Sequence, residues 1–515
     1  MMKAHQDRLT KAKADRATHE PWLQEIYRLA MPWRTRFGMQ AQQTHDHVDV
    51  YDGTLMEAVS DFASDLLATY TPTDQRWIEQ QVILPPGVSE ADRKRIARAV
   101  ADQDAAIFEE IRASNFYEAV VEANADLALG TAVMHIDEVA GLSYPIHCQA
   151  LPLVNTYVCA GPYGRIDGVY REQKVTIDHA QVLWPGIDLG PKLSQKKGTD
   201  EITIIDGGYR DWKERGTPTW QYAVFESGGK DVMLEQTMAG EGAWPLVGAR
   251  WLTDTHTAWG IGPAYKALPW ARTADELAYL ILKNANWQVD PVRSYTDDGV
   301  INLDTDIVPG TWIPVGPDGE IRTIENPSNL DIGYFTQDDL RRLIKHALYQ
   351  DKPEQRGRTP PTATQWLDEA LENQRRQGAP LGRLAVEWLF PIFMRFRHLL
   401  IQRGTIAPVL YKDEQVRLRL VSPLLRAARQ EDAVTGARFL EILNGSFPPE
   451  TVAMLIDATK TAHNLQAALR DEIIALRTEE EAAQLLASLA QGVASAGRLS
   501  DPIAQAPPAP ARGAA

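Results

Sequence analysis

PAYKALPWARTADELAYLILKNANWQV, residues 263–289, predicts a long helix, with Leu277, Leu280 and Ile281 on its apolar side. At 1.5 Å per residue this helix would reach about 40 Å, and Pro269 is a point where it would kink or restart. Residues 290–330 combine β-prone runs with Gly, Pro and Asp, and they predict a small module of strands and turns.

A second helix is predicted over residues 331–351, where Thr336 and Asp339 match a capping box ahead of further apolar residues at helical spacing. Helix, β module and returning helix together predict a hairpin. The next segment, 352–361, contains glycine and prolines and cannot continue the helix. Its three cations are Lys352, Arg356 and Arg358. On composition alone, the simplest interpretation is a solvated loop.

The chain before the hairpin divides into a helical part, residues 1–130, and a strand-rich part, residues 131–262. In the first part, Thr54 and Glu57 match a capping box, a later stripe is formed by Ile96, Val100, Ile107 and Ile111, and Gly130 is a candidate helix C-cap. In the second part, short β-prone runs separated by Gly, Pro and Asp predict mostly antiparallel strands.

Helix dominates again after the loop. Residues 362–404 predict a long helix with Trp366, Trp388 and Phe396 on its apolar stripe, a kink at Pro391 and an end at Gly404. Residues 405–498 contain a strand and more helices, and residues 499–515 form a Pro/Ala-rich tail that predicts disorder. The expected fold class is therefore α+β, mainly helical.

Composition limits the possible functions. A chain of 515 residues exceeds the size of a single core, so several packed units are expected. The net charge of −16 argues against a protein that wraps DNA through a basic surface, but not against one that DNA slides past. Cys148 and Cys159 belong to no ligand cluster and predict reduced, partly buried thiols. No signal peptide or membrane-spanning segment is predicted.

No motif predicts an enzyme, a cofactor or a metal site. The sequence has no GxxxxGK[ST] phosphate loop, no GxSxG, no HExxH and no cysteine set with zinc spacing. His45, Asp46, His47 and Asp49 are the most metal-like cluster, but nothing else supplies a second shell, so a polar loop explains them better. A hydrolase that uses buried carboxylates remains an alternative.

Several stretches, in order along the chain, resemble the portal (head-to-tail connector) family of short-tailed bacteriophages. They include VYDGTLMEAVSDFASDLLATYTPTDQRWI (50–78), ARWLTDTHTAWGIGPAYKAL (249–268), VPGTWIPVG (308–316) and PPTATQWLDEALENQRRQGAPLGRLAVEWLFPIFMRF (360–396). The resemblance runs from about residue 8 to residue 480. Each stretch is weak alone, and their joint order carries the resemblance.

The resemblance implies a portal-type fold with a wing, a stem hairpin of helices, a β-containing clip and a helical crown, assembled as a ring, usually of twelve copies. The implied parts are the helical wing 1–130, strand-rich wing 131–262, first stem helix 263–289, clip 290–330, second stem helix 331–351, channel loop 352–361, wing and crown helix 362–404, crown and C-terminal helices 405–498, and tail 499–515.

The resemblance also implies a function and partners. The ring would be the conduit at one capsid vertex for genome packaging and ejection, assembled in the host cytoplasm. Its partners would be further copies of the chain, major capsid and scaffold proteins, the terminase large subunit, tail adaptor or nozzle and ejection proteins, and double-stranded DNA without sequence specificity. Another virion ring or adaptor protein is the alternative within this class.

Two sets of residues follow from this assignment. Lys352, Arg356 and Arg358 would contact DNA from the channel loop. An acidic docking surface for partners of the clip would be formed by Asp297, Asp298, Asp304, Asp306 and Asp318.

Overall fold

The computed structural model describes most of the chain up to residue 420. The described residues are 2–34, 50–291, 293–296, 311–315, 330–350 and 380–420, apart from residues 140, 143, 214–215, 230, 255–256, 381, 412–413 and 416, together with scattered positions from 436 to 462. The chain forms two compact units, Met1–Leu420 and Val421–Ala515. In the second unit, residues 438–443 are helical, and Phe439 and Ile442 are exposed.

Four helices form the first part of the larger unit: α1 (Met2–Ala30), α2 (Thr54–Tyr70), α3 (Glu90–Ala113) and α4 (Phe116–Leu129). The predicted apolar stripe of α3 is confirmed, since all four of its residues are buried. Gly130 ends α4 with a φ of +128°, a conformation that favours glycine, so the predicted C-cap is also confirmed.

The capping box predicted at Thr54 is wrong. Thr54 is the first residue of α2, and its N–H donates to Oδ1 of Asp52 at 3.0 Å. The carboxylate two residues earlier takes the role that the sequence pattern gave to the threonine hydroxyl.

The β-rich part forms a three-stranded sheet, a five-stranded sheet and one short pair of strands, all antiparallel. With an earlier short strand, the elements are β1 (Gln80–Ile83), β2 (Thr131–Glu138), β3 (Ile146–Ala150), β4 (Thr156–Ala160), β5 (Ile166–Thr176), α5 (Ile177–Leu183), α6 (Gly190–Leu193), β6 (Glu201–Asp211), β7 (Thr219–Glu226), β8 (Val232–Ala239), β9 (Leu246–Arg250), β10 (Leu252–Thr253) and β11 (Gly260–Ile261). The three-stranded sheet has the order β3-β2-β9, the five-stranded meander has the order β4-β5-β6-β7-β8, and β10 pairs with β11. The predicted antiparallel, strand-rich part is confirmed.

The helix predicted from the opening stretch of sequence is α7 (Pro263–Val289), which runs through Pro269 without a break. Strands β12 (Arg293–Thr296) and β13 (Trp312–Val315) follow and pair in parallel. Helix α8 (Leu330–Ala347) then packs against α7. Because α8 begins at Leu330, Thr336 lies inside the helix, and the capping box predicted there is wrong.

Helix α9 (Phe390–Arg403) follows a π-helical turn, Ala385–Leu389. Pro391 explains the turn: proline has no N–H, and its ring would clash with the carbonyl of Glu387 in a regular α-helix. In the wider turn, the N–H of Phe390 donates to the carbonyl of Ala385, five residues earlier, and not to the carbonyl four residues earlier as in an α-helix. Gly404 ends α9 with a φ of +78°, as predicted. Strands β14 (Leu410–Tyr411), β15 (Glu414–Gln415) and β16 (Arg417–Leu420) follow, and β16 pairs with β1.

Aromatic side chains join helices α3, α4 and α9 in the core. Trp77 packs edge-on against Phe108 with ring centroids 5.4 Å apart. Phe108 and Phe116 also contact α9, through Phe393 and Phe396, each pair at 6.0 Å. Pairs of this kind contribute about 0.5–1.5 kcal/mol each beyond the burial of their surface. Helix α9 is therefore fixed to α3 and α4.

Candidate functional site

A network of polar side chains holds the base of the hairpin formed by α7 and α8. Asp275 on α7 accepts hydrogen bonds from the backbone N–H groups of Tyr51 and Asp52, at 2.6 and 3.1 Å. The carboxylate of Asp52 accepts from Arg341 Nε at 2.9 Å and from Gln337 Nε2 at 3.2 Å, both on α8. The segment that precedes α2 therefore clamps both helices.

The carboxylate of Asp52 is the centre of this clamp. Burial alone would raise its pKa, but hydrogen bonds from Thr54 and the Arg341 guanidinium together hold that pKa below its ordinary value. The carboxylate thus stays ionised through the neutral range, and the ion pair between Asp52 and α8 persists there.

The far end of α7 is uncovered. The first half buries Ala264, Leu268 and other small or apolar residues, whereas the described residues 279–289 include none that is buried. Leu280 is 50% exposed, Leu282 52% and Val289 86%. An amphipathic helix of this kind gains its stability from an apolar contact, so this end of α7 is suited to a protein partner.

Strands β12 and β13 follow this exposed end. Arg293 pairs with Trp312 in the parallel register, and its guanidinium lies 5.4 Å from the indole ring. Trp312 remains 49% exposed. An exposed tryptophan beside an arginine is a combination that is frequent in protein interfaces.

The predicted site residues lie outside the described residues. This applies to Lys352, Arg356 and Arg358 of the predicted channel loop. It applies equally to the predicted acidic docking residues Asp297, Asp298, Asp304, Asp306 and Asp318. Both assignments therefore stay predictions. The structure describes the neighbouring helices: the acidic residues lie in the chain between α7 and α8, and the loop follows α8.

Two buried arginines attach the π-helical turn and α9 to the β-rich part. Arg250 on β9 donates from Nη2 and Nε to the carboxylate of Glu387 in the π-helical turn, at 2.6 and 3.2 Å. Arg395 on α9 donates to the carbonyl oxygens of Ile136, Gly242 and Ala243, and to Asp137 Oδ1 at 2.9 Å. Both arginines are almost fully buried, so these contacts fix the orientation of the helix.

The structure offers no metal cluster in the part of the chain that it describes. The cluster of His45, Asp46, His47 and Asp49 lies outside that part. Among the described residues, no helix is both long and apolar enough to cross a lipid bilayer.

Comparison with known proteins identifies the class. A family described as bacteriophage head to tail connecting protein matches residues 2–469, so the chain belongs to that family of structural virion proteins. It is a head-to-tail connector, a structural protein located in the virion, where it assembles with other capsid and tail proteins. No curated protein sequence matches it.

Solved structures with limited similarity include two of gene transfer agent particles. One is the virion of a native gene transfer agent (GTA) particle, with 12% identity, a TM-score of 0.36, and coverage of 80% of this chain and 89% of that chain. The other is the neck of an empty GTA particle computed with C6 symmetry, with 11% identity, a TM-score of 0.35, and coverage of 80% and 90%. The family match, and not these similarities, carries the assignment.

Sequence reasoning missed the clamp around Asp52. Its partners lie 223 and 289 residues further along the chain. One signal was present: Asp52 precedes an apolar helical pattern by two residues, a position where a carboxylate accepts from the first turn.

Proposed function

We propose that this connector protein assembles into a closed ring in which each hairpin of α7 and α8 contributes to the wall of an axial DNA channel. The exposed apolar end of α7 is the observation that carries the proposal. Repeated head-to-tail contacts between copies close into a ring when the rotation from copy to copy divides a full turn. Twelve copies is the number that the sequence resemblance implies.

The clamp at Asp52 supports this role for the hairpin. It holds the bases of α7 and α8 against α2, while residues 279–289 extend beyond the buried core. Leu280 and Leu282 lie about 200° apart around the helix. Burying them on the two neighbouring copies of a ring would supply the apolar contacts that this half of the helix lacks in one chain. Each such leucine stabilises a contact by about 1.5–3 kcal/mol when it is buried fully, and by less from a half-exposed start.

The module 290–330 would form the narrow end of the ring, the clip. There it would bind the large terminase subunit during packaging, and the tail adaptor or nozzle proteins afterwards. Trp312 supplies an exposed apolar contact on β13. The predicted acidic residues Asp297, Asp298 and Asp304, with Asp306 and Asp318, would select basic partner surfaces and give an association that weakens with salt.

DNA would pass through the channel without sequence recognition. Each copy has a net charge of −16, and an acidic lumen would repel phosphates and let the duplex translate. Lys352, Arg356 and Arg358 would supply sparse phosphate contacts from the loop 352–361, repeated around the ring. Capsid and scaffold proteins would contact the outer surface of the ring.

Replacing Leu280 and Leu282 by Asp tests the assembly directly. The parent chain should sediment as a ring and the double variant as a monomer, with the same helical circular dichroism signal, because charged side chains would have to enter the apolar contact. Val182→Asp is the matched control, since Val182 is 76% exposed on α5, a helix that does not belong to the hairpin. A parent that is monomeric at every salt and protein concentration, or a double variant that still forms rings, would contradict the proposal.

A further inference from the structure

A cavity of about 690 Å³ lies between the five-stranded sheet and the start of α9. Its wall includes the turn between β4 and β5, parts of β5 to β7, residues 240–244 and the π-helical turn. No described residue of the α7 and α8 hairpin contributes to this wall. The volume falls in the range of sites that bind small molecules.

The two walls of the cavity are held at a fixed distance. Gly242 has a φ of +76°, and a Cβ at this position would collide with the carbonyl oxygen of Met394 in α9, so only glycine allows the approach. On the same side, Arg250 of β9 and Glu387 of the π-helical turn form the buried ion pair described above. The cavity is therefore preformed, and a ligand would lose little binding free energy to rearrangement of the protein.

Each carboxylate in the cavity wall has an arginine beside it. Glu387 belongs to the ion pair just described, and Asp167 Oδ2 lies 3.9 Å from Nη1 of Arg8. Burial lowers the pKa of Arg397, and the nearby negative charge of Glu241 raises it, so these two groups also interact. All three arginines lie outside the wall itself. The acidic groups therefore give the cavity little net negative charge.

Two guanidiniums of the wall, by contrast, have no carboxylate paired with them. Arg165 lies in the turn between β4 and β5, and Arg210 lies on β6. Neither forms an ion pair with any residue that the structure describes. Burial lowers the pKa of Arg210, Asp167 raises it, and the like charge of Arg165 lowers it again, so the two guanidiniums are close enough to repel each other. A bound anion would remove this repulsion.

Aromatic rings hold Arg210 in place. Its guanidinium lies 3.9 Å from the centroid of the Trp212 ring and 5.9 Å from that of Trp220. A guanidinium that stacks on a ring keeps its N–H groups free in its own plane, where they can donate two parallel hydrogen bonds to an anion. Tyr163 packs edge-on against Trp212 at 5.1 Å and is 77% exposed. A flat ring of a ligand can therefore stack beside the two guanidiniums.

The charge of the two guanidiniums indicates which anion fits. A phosphate monoester carries about −1.5 to −2 charges at pH 7 and has three acceptor oxygens, which matches two unpaired guanidiniums. A carboxylate, or a phosphodiester inside a strand, has a single negative charge and would leave one guanidinium without a partner. A phosphate monoester attached to a flat ring is the chemistry of a nucleotide.

We propose that the cavity binds a nucleoside 5′-monophosphate group, either as a free nucleotide or as the 5′-phosphorylated end of a DNA strand. Arg165 and Arg210 bind the phosphate, and the base packs against Tyr163 and Trp212. The site does not depend on ring assembly or on the axial channel, so it goes beyond the function proposed above.

Calorimetric titration of the full chain tests this chemistry. Deoxyadenosine 5′-monophosphate should bind saturably, whereas deoxyadenosine and inorganic phosphate, each with half of the recognised groups, should bind about tenfold more weakly or worse. Arg165→Gln and Arg210→Gln should each weaken nucleotide binding by about tenfold and reduce its dependence on salt. Tyr163→Leu should weaken binding of the nucleotide several-fold and leave binding of inorganic phosphate unchanged.

Arg98→Gln is the matched control, because Arg98 is exposed on α3 and lies outside the cavity wall. It should leave nucleotide affinity unchanged. Arg165 and Tyr163 are exposed, so their variants should keep the circular dichroism spectrum of the parent and remain informative if Arg210→Gln does not fold. Absence of binding at about 1 mM nucleotide, equal affinity for nucleotide and inorganic phosphate, or unchanged affinity in the arginine variants would overturn the proposal.

Two oligonucleotides identify the source of the ligand. Each is a single strand of about ten deoxyadenosines, one with a 5′-phosphate and one with a 5′-hydroxyl. If the phosphorylated strand binds about tenfold more tightly than the free nucleotide, the ligand is a strand end; if it binds no more tightly, the ligand is the free nucleotide. Equal affinity for the two strands, lost from both in Arg210→Gln, would overturn the assignment to a phosphate monoester.

Discussion

Substitution of Arg395 is the most direct test of how α9 is attached to the β-rich part. Its side chain is 5% exposed and donates to three backbone carbonyls and to the carboxylate of Asp137. Arg395→Met keeps most of the apolar stem but leaves those carbonyl oxygens without their donor. We expect it to lower the free energy of unfolding by about 3–5 kcal/mol, because each buried carbonyl that loses its donor costs about 1–3 kcal/mol.

A second substitution separates the contributions of the carbonyls and the carboxylate. Asp137 is 44% exposed, so water can replace the guanidinium there. Asp137→Asn should therefore lower the free energy of unfolding by only about 1 kcal/mol or less. If the two variants were equally destabilised, the ion pair and not the carbonyl contacts would hold α9.

Urea unfolding followed by tryptophan fluorescence measures both effects, with hydrogen exchange in β2 and α9 as a local readout. Arg95→Met is the matched control. Arg95 pairs with Asp92 on the surface of α3 and is 75% exposed, so its loss should stay within about 0.5 kcal/mol. The reasoning is refuted if Arg395→Met is as mild as this control.

Three further predictions concern DNA, the partners and pH. Replacing all three cations of the loop 352–361 by serine should leave ring assembly unchanged and lower the ratio of full to empty particles; equal ratios at every salt concentration would make the segment a simple connector. Deleting residues 290–330 should abolish terminase binding in a pull-down assay, and retained binding would exclude this module as the clip. Burial raises the pKa of Asp104 to about 6, against hydrogen bonds from Gln80 and nearby arginines that lower it, so the folded state binds more protons than the unfolded state between about pH 4 and 6. The free energy of unfolding should therefore fall as pH rises through that window, and Asp104→Asn should flatten this part of the profile; parallel profiles for parent and variant would contradict it.

Local sequence patterns predicted the helices well where a single strong period dominated. The bounds of α7 agree with the prediction, as does the buried stripe of α3, because each apolar position repeats at helical spacing. The predicted start of α8 agrees with the structure to within one residue, but the capping box at Thr336 was wrong for a physical reason. The pattern at Thr336 places acidic residues near a helix start, but Asp338 and Asp339 instead pair with Arg341 and Arg342 one turn later, at 3.7 and 3.2 Å. A four-residue motif cannot distinguish a first turn from an interior turn with ion pairs.

The cavity lined by Trp212, Trp220 and Trp244 shows a different limit of sequence reasoning. Arg210 and Trp220 face each other across β6 and β7, while Trp244 arrives from beyond β8. Strand alternation assigns each residue to a face of its own strand, but it does not state which strands pair or in which register. Three tryptophans spread over 33 positions therefore gave no signal of a common site until the sheet order was known.

The long-range ion pairs explain why the resemblance seen in the sequence came from the order of many weak stretches and not from a motif. Asp52 with Arg341, and Arg250 with Glu387, join residues 289 and 137 positions apart. With 69 acidic and 53 basic residues, no sequence pattern selects those partners. Yet they fasten the two helical elements, the hairpin and α9, to the helices and sheets that support them. A connector between a head and a tail needs its projecting helices fixed at the base, so we expect the features most specific to this function to be distributed contacts of this kind.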